Sequence, residues 1–207
     1  MVKIKVCGMR DPENIRQVAA LRPDYMGFIF YEGSKRFAEG HITPELLAEL
    51  PASIKKTGVF VNATPESIKT TVQKYKLDAV QLHGKESPRQ CAEVKALGVE
   101  VIKVFSMDGK FLFENTLLYE SCADYFLFDT KGQEYGGNGI PFDWELLKGY
   151  LSPKPYFLSG GLNLENIKHL DEVRPQPFGI DVNSGFEQEP GLKKVEELKK
   201  LFELIRS

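Results

Sequence analysis

The chain predicts a closed α/β barrel of the (β/α)8 type, a TIM barrel. Eight short apolar segments of strand character end near residues 7, 30, 61, 82, 105, 129, 159 and 182, at intervals of 23, 31, 21, 23, 24, 30 and 23 residues. Each interval is the length of one strand–loop–helix unit. Helical periodicity fills the intervals, and four of these stretches open on an N-cap residue followed by proline. No composition break or linker divides the 207 residues, so residues 1–207 read as a single, near-minimal barrel domain. An open doubly wound sheet is the competing architecture. It would carry a Gly-rich fingerprint after its first strand, and Lys3 to Arg10 holds one glycine.

In chain order, Lys3 to Val6 alternate charged and β-branched residues and read as the first strand. Cys7 and Gly8 follow, then Asp11-Pro12-Glu13 caps a helix carrying Ile15, Val18 and Ala19. Tyr25 to Phe30 is an apolar run of the buried-strand type, and Tyr31 to Phe37 a polar loop with adjacent cations. Thr43-Pro44-Glu45 opens a helix with Leu46, Leu47 and Leu50, and Thr57 to Val61 is the third strand. Thr64-Pro65-Glu66 opens a helix with Ile68, Val72 and Tyr75, before a fourth strand from Asp78 to Leu82. Ser87-Pro88-Arg89-Gln90 is a capping box.

The second half alternates less regularly. Glu100 to Phe105 is strand five, followed by a helix with Phe113, Leu117 and Leu118 on its apolar face. Tyr125 to Asp129 is strand six. A Gly-rich loop from Thr130 to Gly139 precedes a helix capped by Asp143. Four glycines predict that this loop is mobile when the site is empty, as a lid would be. Tyr156 to Ser159 is strand seven, Asn163 caps the next helix, and Phe178 to Val182 is strand eight. The last helix carries Val195, Leu198, Phe202 and Ile205, while Trp144 and the Phe-rich strands read as core.

The composition excludes several function classes. A balance of 42% hydrophobic and 27% charged residues is globular, and a net charge of −2 predicts neither a nucleic-acid nor a membrane partner. Three cysteines, Cys7, Cys91 and Cys122, are odd in number and irregularly spaced, which argues against a disulfide framework or a metal site and for a reducing compartment. Lys3, Lys5 and Arg10 interrupt any apolar signal core, and no apolar run reaches membrane-spanning length, so a cytoplasmic, soluble protein is expected. A monomer and a homodimer are both compatible with the sequence.

In a barrel all eight strand tips face one mouth. Here they supply Cys7, the Ser34-Lys35-Arg36 loop, Asn62, Gln81 with His83, Ser106, Asp129, Ser159-Gly160-Gly161 and Asp181-Val182-Asn183-Ser184-Gly185. The loops after strands seven and eight are the usual phosphate cradle of such barrels. Glycines there let backbone N–H groups approach an anion. Each loop alone also reads as an ordinary turn. Asp129 ends an apolar strand, where desolvation favours a protonated carboxyl and hence a general acid; capping or pairing with Lys131 competes. Cys7 reads either as a small buried hydrophobe or as a base, and a free thiol of pKa about 8.5 needs activation to serve near neutrality. Lys5 shares its strand face. Arg36 can hold a carboxylate in bidentate fashion or be a solvated loop cation. His83 reads as a structural hydrogen-bonder, with no second His or carboxylate spaced for a metal. An acid and a base around a phosphate-lined mouth point to proton transfer on a sugar phosphate.

These residues, in their order, resemble the phosphoribosylanthranilate isomerase family of tryptophan biosynthesis. The stretches that carry the resemblance are Lys5-Val6-Cys7-Gly8-Met9, Gly27 to Phe30, Ser34-Lys35-Arg36, Gly58 to Asn62, Gln81-Leu82-His83-Gly84 and Phe128-Asp129-Thr130. Further along are Gly136 to Gly139 with Phe142-Asp143-Trp144, Ser159 to Leu162, and Asp181 to Gly185 with Glu187, Pro190-Gly191 and Lys193. The resemblance spans the whole chain. It implies a cofactor-free Amadori rearrangement of N-(5-phosphoribosyl)anthranilate by an isomerase of the intramolecular oxidoreductase type. It implies Asp129 as general acid, Cys7 as general base, and Arg36 at the anthranilate carboxylate. Asp181 falls near the active site, and Gly160, Gly161, Asn183, Ser184 and Gly185 at the phosphate. Two positions depart from the family: Asn138 stands where Thr is common, and Asn183 where Ser is common.

Rival barrels of aromatic or histidine biosynthesis would show other chemistry. An indoleglycerol-phosphate synthase would be expected to use a lysine acid, and the histidine-pathway isomerase a pair of aspartates. Cys7 at the first tip favours the anthranilate enzyme. A catalytically silent phosphate-binding barrel is the rival of a different class, and the presence of both Cys7 and Asp129 argues against it.

Overall fold

The computed structural model describes residues 1–130 and 143–206. Eight parallel strands close in sequential order: β1 (Lys3–Val6), β2 (Tyr25–Ile29), β3 (Lys55–Phe60), β4 (Ala79–Leu82), β5 (Glu100–Met107), β6 (Tyr125–Thr130), β7 (Tyr156–Leu158) and β8 (Gly179–Val182). β8 returns to β1 with Lys5 opposite Asp181 and Val6 opposite Val182. The fold class is therefore the closed barrel that the strand spacing predicts. The predicted strands are recovered with ends shifted by one or two residues.

Ile4, Val6, Met26, Phe28, Phe126 and Phe128 pack outward against the helices in one large core. Tyr25, Ala79, Ile102, Val104, Leu127 and Phe157 form a second, smaller cluster. This is the period-two consequence of a strand buried on both faces.

All four proline-led helix starts are observed: α1 (Pro12–Ala20), α2 (Pro44–Ala48), α3 (Pro65–Tyr75) and α4 (Pro88–Lys95). The side chains of Asp11, Thr43, Thr64 and Ser87 accept from the backbone N–H three residues on, and Ser87 with Gln90 completes the capping box. After β5 the return is a single turn, α5 (Glu114–Leu117). The expected apolar face fails there. Phe113 packs on the core, but Leu117 and Leu118 are 58% and 68% exposed, because one turn is too short to present them inward. The returns after β6 and β7 are 3₁₀ helices, Trp144–Gly149 and Asn166–Glu172, where full α-helices were expected. Asp143 still caps the first, and Asn163 accepts from the N–H groups of Glu165 and Asn166. After β8 come a short hairpin, β9 (Glu187–Glu189) with β10 (Leu192–Lys193), and the closing helix α6 (Val195–Arg206).

Among the described residues no helix is long and apolar enough to cross a membrane. The 131–139 part of the expected lid, Asn138 and Lys131 lie outside the described residues.

Candidate active site

One cavity opens at the C-terminal ends of the strands, with about 730 Å³ of empty space including its open mouth. Cys7, Arg36, Asp129, Gly160, Gly161, Asp181, Asn183, Ser184 and Gly185, the residues singled out in the sequence, all line it. Two of the expected tips do not. Asn62 turns into the loop, where its side-chain oxygen accepts from the Lys85 N–H and its own N–H donates to Glu86. Ser106 is exposed, since β5 runs past it to Met107. Val59 and Val61 line the β3 sector instead.

Cys7 lies directly after β1, its N–H donating to the Val182 carbonyl at 2.9 Å. It is 3% exposed. Gly27 on the neighbouring strand makes room for the thiol, because a Cβ there would lie 2.7 Å from Cys7 Sγ. Lys5, one pleat below on the same face, is wholly buried, and its Nζ donates to Asp181 Oδ1 at 2.8 Å. Burial pulls the Lys5 ammonium down, but Asp181 and Cys7 outweigh it and hold Lys5 above its usual range. Burial pushes the Cys7 thiol up; Lys5 and Lys193 pull it back, yet it stays above the free-thiol range. Burial likewise pushes the Asp181 carboxyl up against the pull of Lys5.

Asp129 sits near the end of β6, 7% exposed, with Oδ1 accepting from the Thr130 N–H at 3.0 Å. His83 Nε2 stands 3.4 Å from Asp129 Oδ2. The Gln81 amide nitrogen, which can only donate, lies 3.1 Å from His83 Nδ1, so in this arrangement the ring proton is left on Nε2, facing Asp129. His83 thus bonds as the sequence implied, but it does so inside the cavity, beside the candidate acid.

Gly160 and Gly161 after β7 adopt left-handed backbone, φ 89° and 64°, which favours glycine. Among the described residues their N–H groups donate to no protein acceptor. The 3₁₀ turn Ser184–Phe186 after β8 brings Ser184 and Gly185 to the same part of the cavity. Backbone N–H groups gathered in this way suit a phosphate.

Arg36 is not a solvated cation. Its Nε and Nη2 donate to Glu187 Oε2 at 2.9 and 2.7 Å, and Nε also reaches Oε1 at 3.0 Å. Lys193 Nζ donates to Glu187 Oε1 at 2.6 Å and to Asn183 Oδ1 at 2.7 Å. Burial would push the Glu187 carboxyl up, but Arg36 and Lys193 hold it below its usual range, and burial draws Lys193 down to about 8. These contacts join residues up to 151 positions apart, so residue chemistry alone gave them no role. The signal for Lys5 was present: on a strand, residues two apart share a face, and Cys7 faces the mouth. No group of three or more metal-ligating side chains occurs among the described residues.

The chain is similar to known proteins along almost its whole length. The family model described as N-(5'-phosphoribosyl)anthranilate (PRA) isomerase matches residues 4–204. The N-(5'-phosphoribosyl)anthranilate isomerase of Parabacteroides distasonis is 50% identical over 204 residues, covering 98% of this chain and 92% of the relative. Among solved structures, the phosphoribosyl anthranilate isomerase of Thermotoga maritima superposes with a TM-score of 0.89 at 37% identity, covering 100% of this chain and 99% of that one. A phosphoribosyl anthranilate isomerase in complex with reduced 1-(o-carboxyphenylamino)-1-deoxyribulose 5-phosphate gives a TM-score of 0.84 at 35% identity, with coverage of 100% and 99%.

Proposed function

Since the chain belongs to the N-(5'-phosphoribosyl)anthranilate isomerase family of tryptophan biosynthesis, we propose that Cys7 and Asp129 carry out its isomerisation as base and acid. The observation that carries this assignment is that both groups line one cavity with Arg36 and the two glycine loops. The substrate phosphate lies on the N–H groups of Gly160, Gly161, Ser184 and Gly185, with Asn183 beside them. The anthranilate carboxylate meets Arg36.

Asp129 gives its proton to the furanose ring oxygen. The C1'–O bond breaks, and the nitrogen lone pair forms the C1'=N iminium. The Cys7 thiolate then removes the C2' proton, and that electron pair forms the C1'=C2' double bond of a neutral enolamine. Loss of the C2' hydroxyl proton and protonation of C1' give the ketone. Substrate and product have the same atoms. C2' is oxidised from alcohol to ketone while C1' is reduced, so the electrons move within one molecule and no external redox partner is required. This is the sense in which the isomerase is of the intramolecular oxidoreductase type. Asp181 keeps Lys5 charged beneath the thiol, and His83 donates toward the carboxylate that Asp129 becomes.

The test is direct. Substrate is formed in situ from anthranilate and phosphoribosyl pyrophosphate, and the decay of its anthranilate fluorescence is followed. A decay rate proportional to enzyme concentration is expected. Folded protein that leaves the decay at its spontaneous rate would overturn the reading.

A further inference from the structure

The wall of the mouth beside Cys7 holds a cluster of charges of which the chemistry above uses only Arg36. Arg36, Glu187 and Lys193 are two cations and one anion. The Lys193 and Glu187 side chains are 0% and 4% exposed, and that of Arg36 is 13% exposed. Among the described residues, the remaining contact of Lys193 Nζ is the neutral Asn183 amide oxygen. Two buried cations bridged by one carboxylate leave one positive charge uncompensated, and a buried charge is costly until it finds a counter-ion.

The cluster is built to stay in this state. Asn14 of α1, 2% exposed, clamps the Lys193 backbone from both sides, accepting from its N–H at 2.7 Å and donating to its carbonyl at 3.0 Å. The Gly191 N–H at the hairpin turn adds a further bond to Glu187 Oε1 at 3.1 Å. Glu187 engages the Nε–Nη2 edge of the Arg36 guanidinium. A guanidinium has five N–H donors in one plane, so its Nη1–Nη2 edge stays available from a side chain that lines the cavity.

We infer that Glu187 and Lys193 are positioning and specificity-determining residues: together they fix and charge Arg36 as a receptor for one carboxylate, selecting substrates that carry the acid group on the aryl ring. The inference rests on the isomerase reading above. Without Lys193 the cluster is neutral and its pull on a further anion weakens. Without Glu187 the buried Lys193 sheds its proton, the count returns to one, and the guanidinium plane is no longer held.

The experiment compares two ligands. Ribose 5-phosphate is condensed with anthranilate or with aniline, and each Amadori product is reduced with borohydride. The two probes then differ only in the ring carboxylate. Binding is measured rather than turnover, because Lys193 also bears on the Cys7 thiol. Wild type should prefer the carboxylated probe on the order of 10²-fold, the effect of two charge-assisted hydrogen bonds. Lys193→Met should cut that preference by about tenfold and Glu187→Gln by about threefold, with the aniline probe bound as before. Unchanged affinity for the aniline probe also reports a folded site. Should Lys193→Met not fold, the isosteric Glu187→Gln carries the same test. A preference unchanged in both variants, or equal weakening of both probes, overturns the inference. A wild-type preference near one would instead overturn the carboxylate role of Arg36 itself.

Discussion

The two walls of the mouth are charged in opposite styles. The β1–β8 side holds two buried ion clusters, Lys5 with Asp181 and Lys193 with Glu187 and Arg36, their shortest contacts at 2.6–2.8 Å, and Lys5, Asp181 and Lys193 bear on Cys7. The β4–β6–β7 side holds Asp129 among Gln81, His83, Ser159 and two glycines, and the buried Lys103 behind it is taken up by Glu86 and the Leu82 and Gly84 carbonyls. Cations favour the charged form of an acid, so Lys5 and Lys193 lower the cost of a Cys7 thiolate against the burial that opposes it. The proposed reaction thus sets its base on the wall whose cations act on it and its acid where no described lysine or arginine lines the cavity.

The strongest way to break this division is to remove either group. Cys7→Ala and Asp129→Ala should each lower kcat by roughly 10²–10⁴-fold, the usual contribution of a general acid or base. Circular dichroism and the melting temperature should stay near wild type. Near wild-type turnover in Cys7→Ala would assign the base elsewhere.

The charged wall should also be the fragile one. Lys5→Met leaves Asp181 buried and unpaired, and breaking a buried pair by removing one partner costs about 3–5 kcal/mol. For a chain of this size that lowers the melting temperature by roughly 6–20 °C. The orphaned carboxyl then has a folded-state proton affinity above its unfolded one, so the variant gains stability as the pH falls and Asp181 protonates. The deficit in thermal unfolding should be smaller at pH 5 than at pH 8. An equal deficit at both would mean that Lys5 acts through packing and not through charge.

How far each wall was legible in the sequence follows from the same contrast. Cys7, Asp129 and the glycine loops could be found because a barrel puts every strand end in one mouth, so spacing alone collects them. The caps at Asp11, Thr43, Thr64 and Ser87 were readable because each is a local contact across three residues. The cation cluster was not, since Arg36 and Glu187 meet only where the loop after β2 packs against the β9–β10 hairpin. Lys5 could be placed on the strand face of Cys7 by alternation, but not its charge, because its partner Asp181 lies 176 residues away. Leu117 and Leu118 fit a helical period that the chain follows for one turn only. Asn183 shows its contact only in three dimensions, as an acceptor for Lys193.

A milder change tests the wall at the substrate. Arg36→Met should raise KM by roughly tenfold or more while kcat changes little, as expected for a contact made alike in ground and transition states. An unchanged KM would remove the carboxylate role of Arg36.

The smallest effect concerns the thiol itself. Although Lys5 and Lys193 both pull the Cys7 thiol down, burial comes first among the influences on it, and the thiol remains above the free-cysteine range. The thiolate is the species that reacts with iodoacetamide, and below the thiol pKa its fraction rises about tenfold per pH unit. Alkylation of Cys7, located by peptide mapping, should therefore keep rising through pH 9 without levelling. Lys193→Met removes a charge that pulls the thiol down, so at a given pH its alkylation should be slower by a few-fold at most. A plateau near pH 7 would show that the cations outweigh burial and that the base is ionised before substrate arrives. A continued rise would show that the wall only limits the cost of forming the thiolate, leaving the positive iminium created by Asp129 to complete its activation.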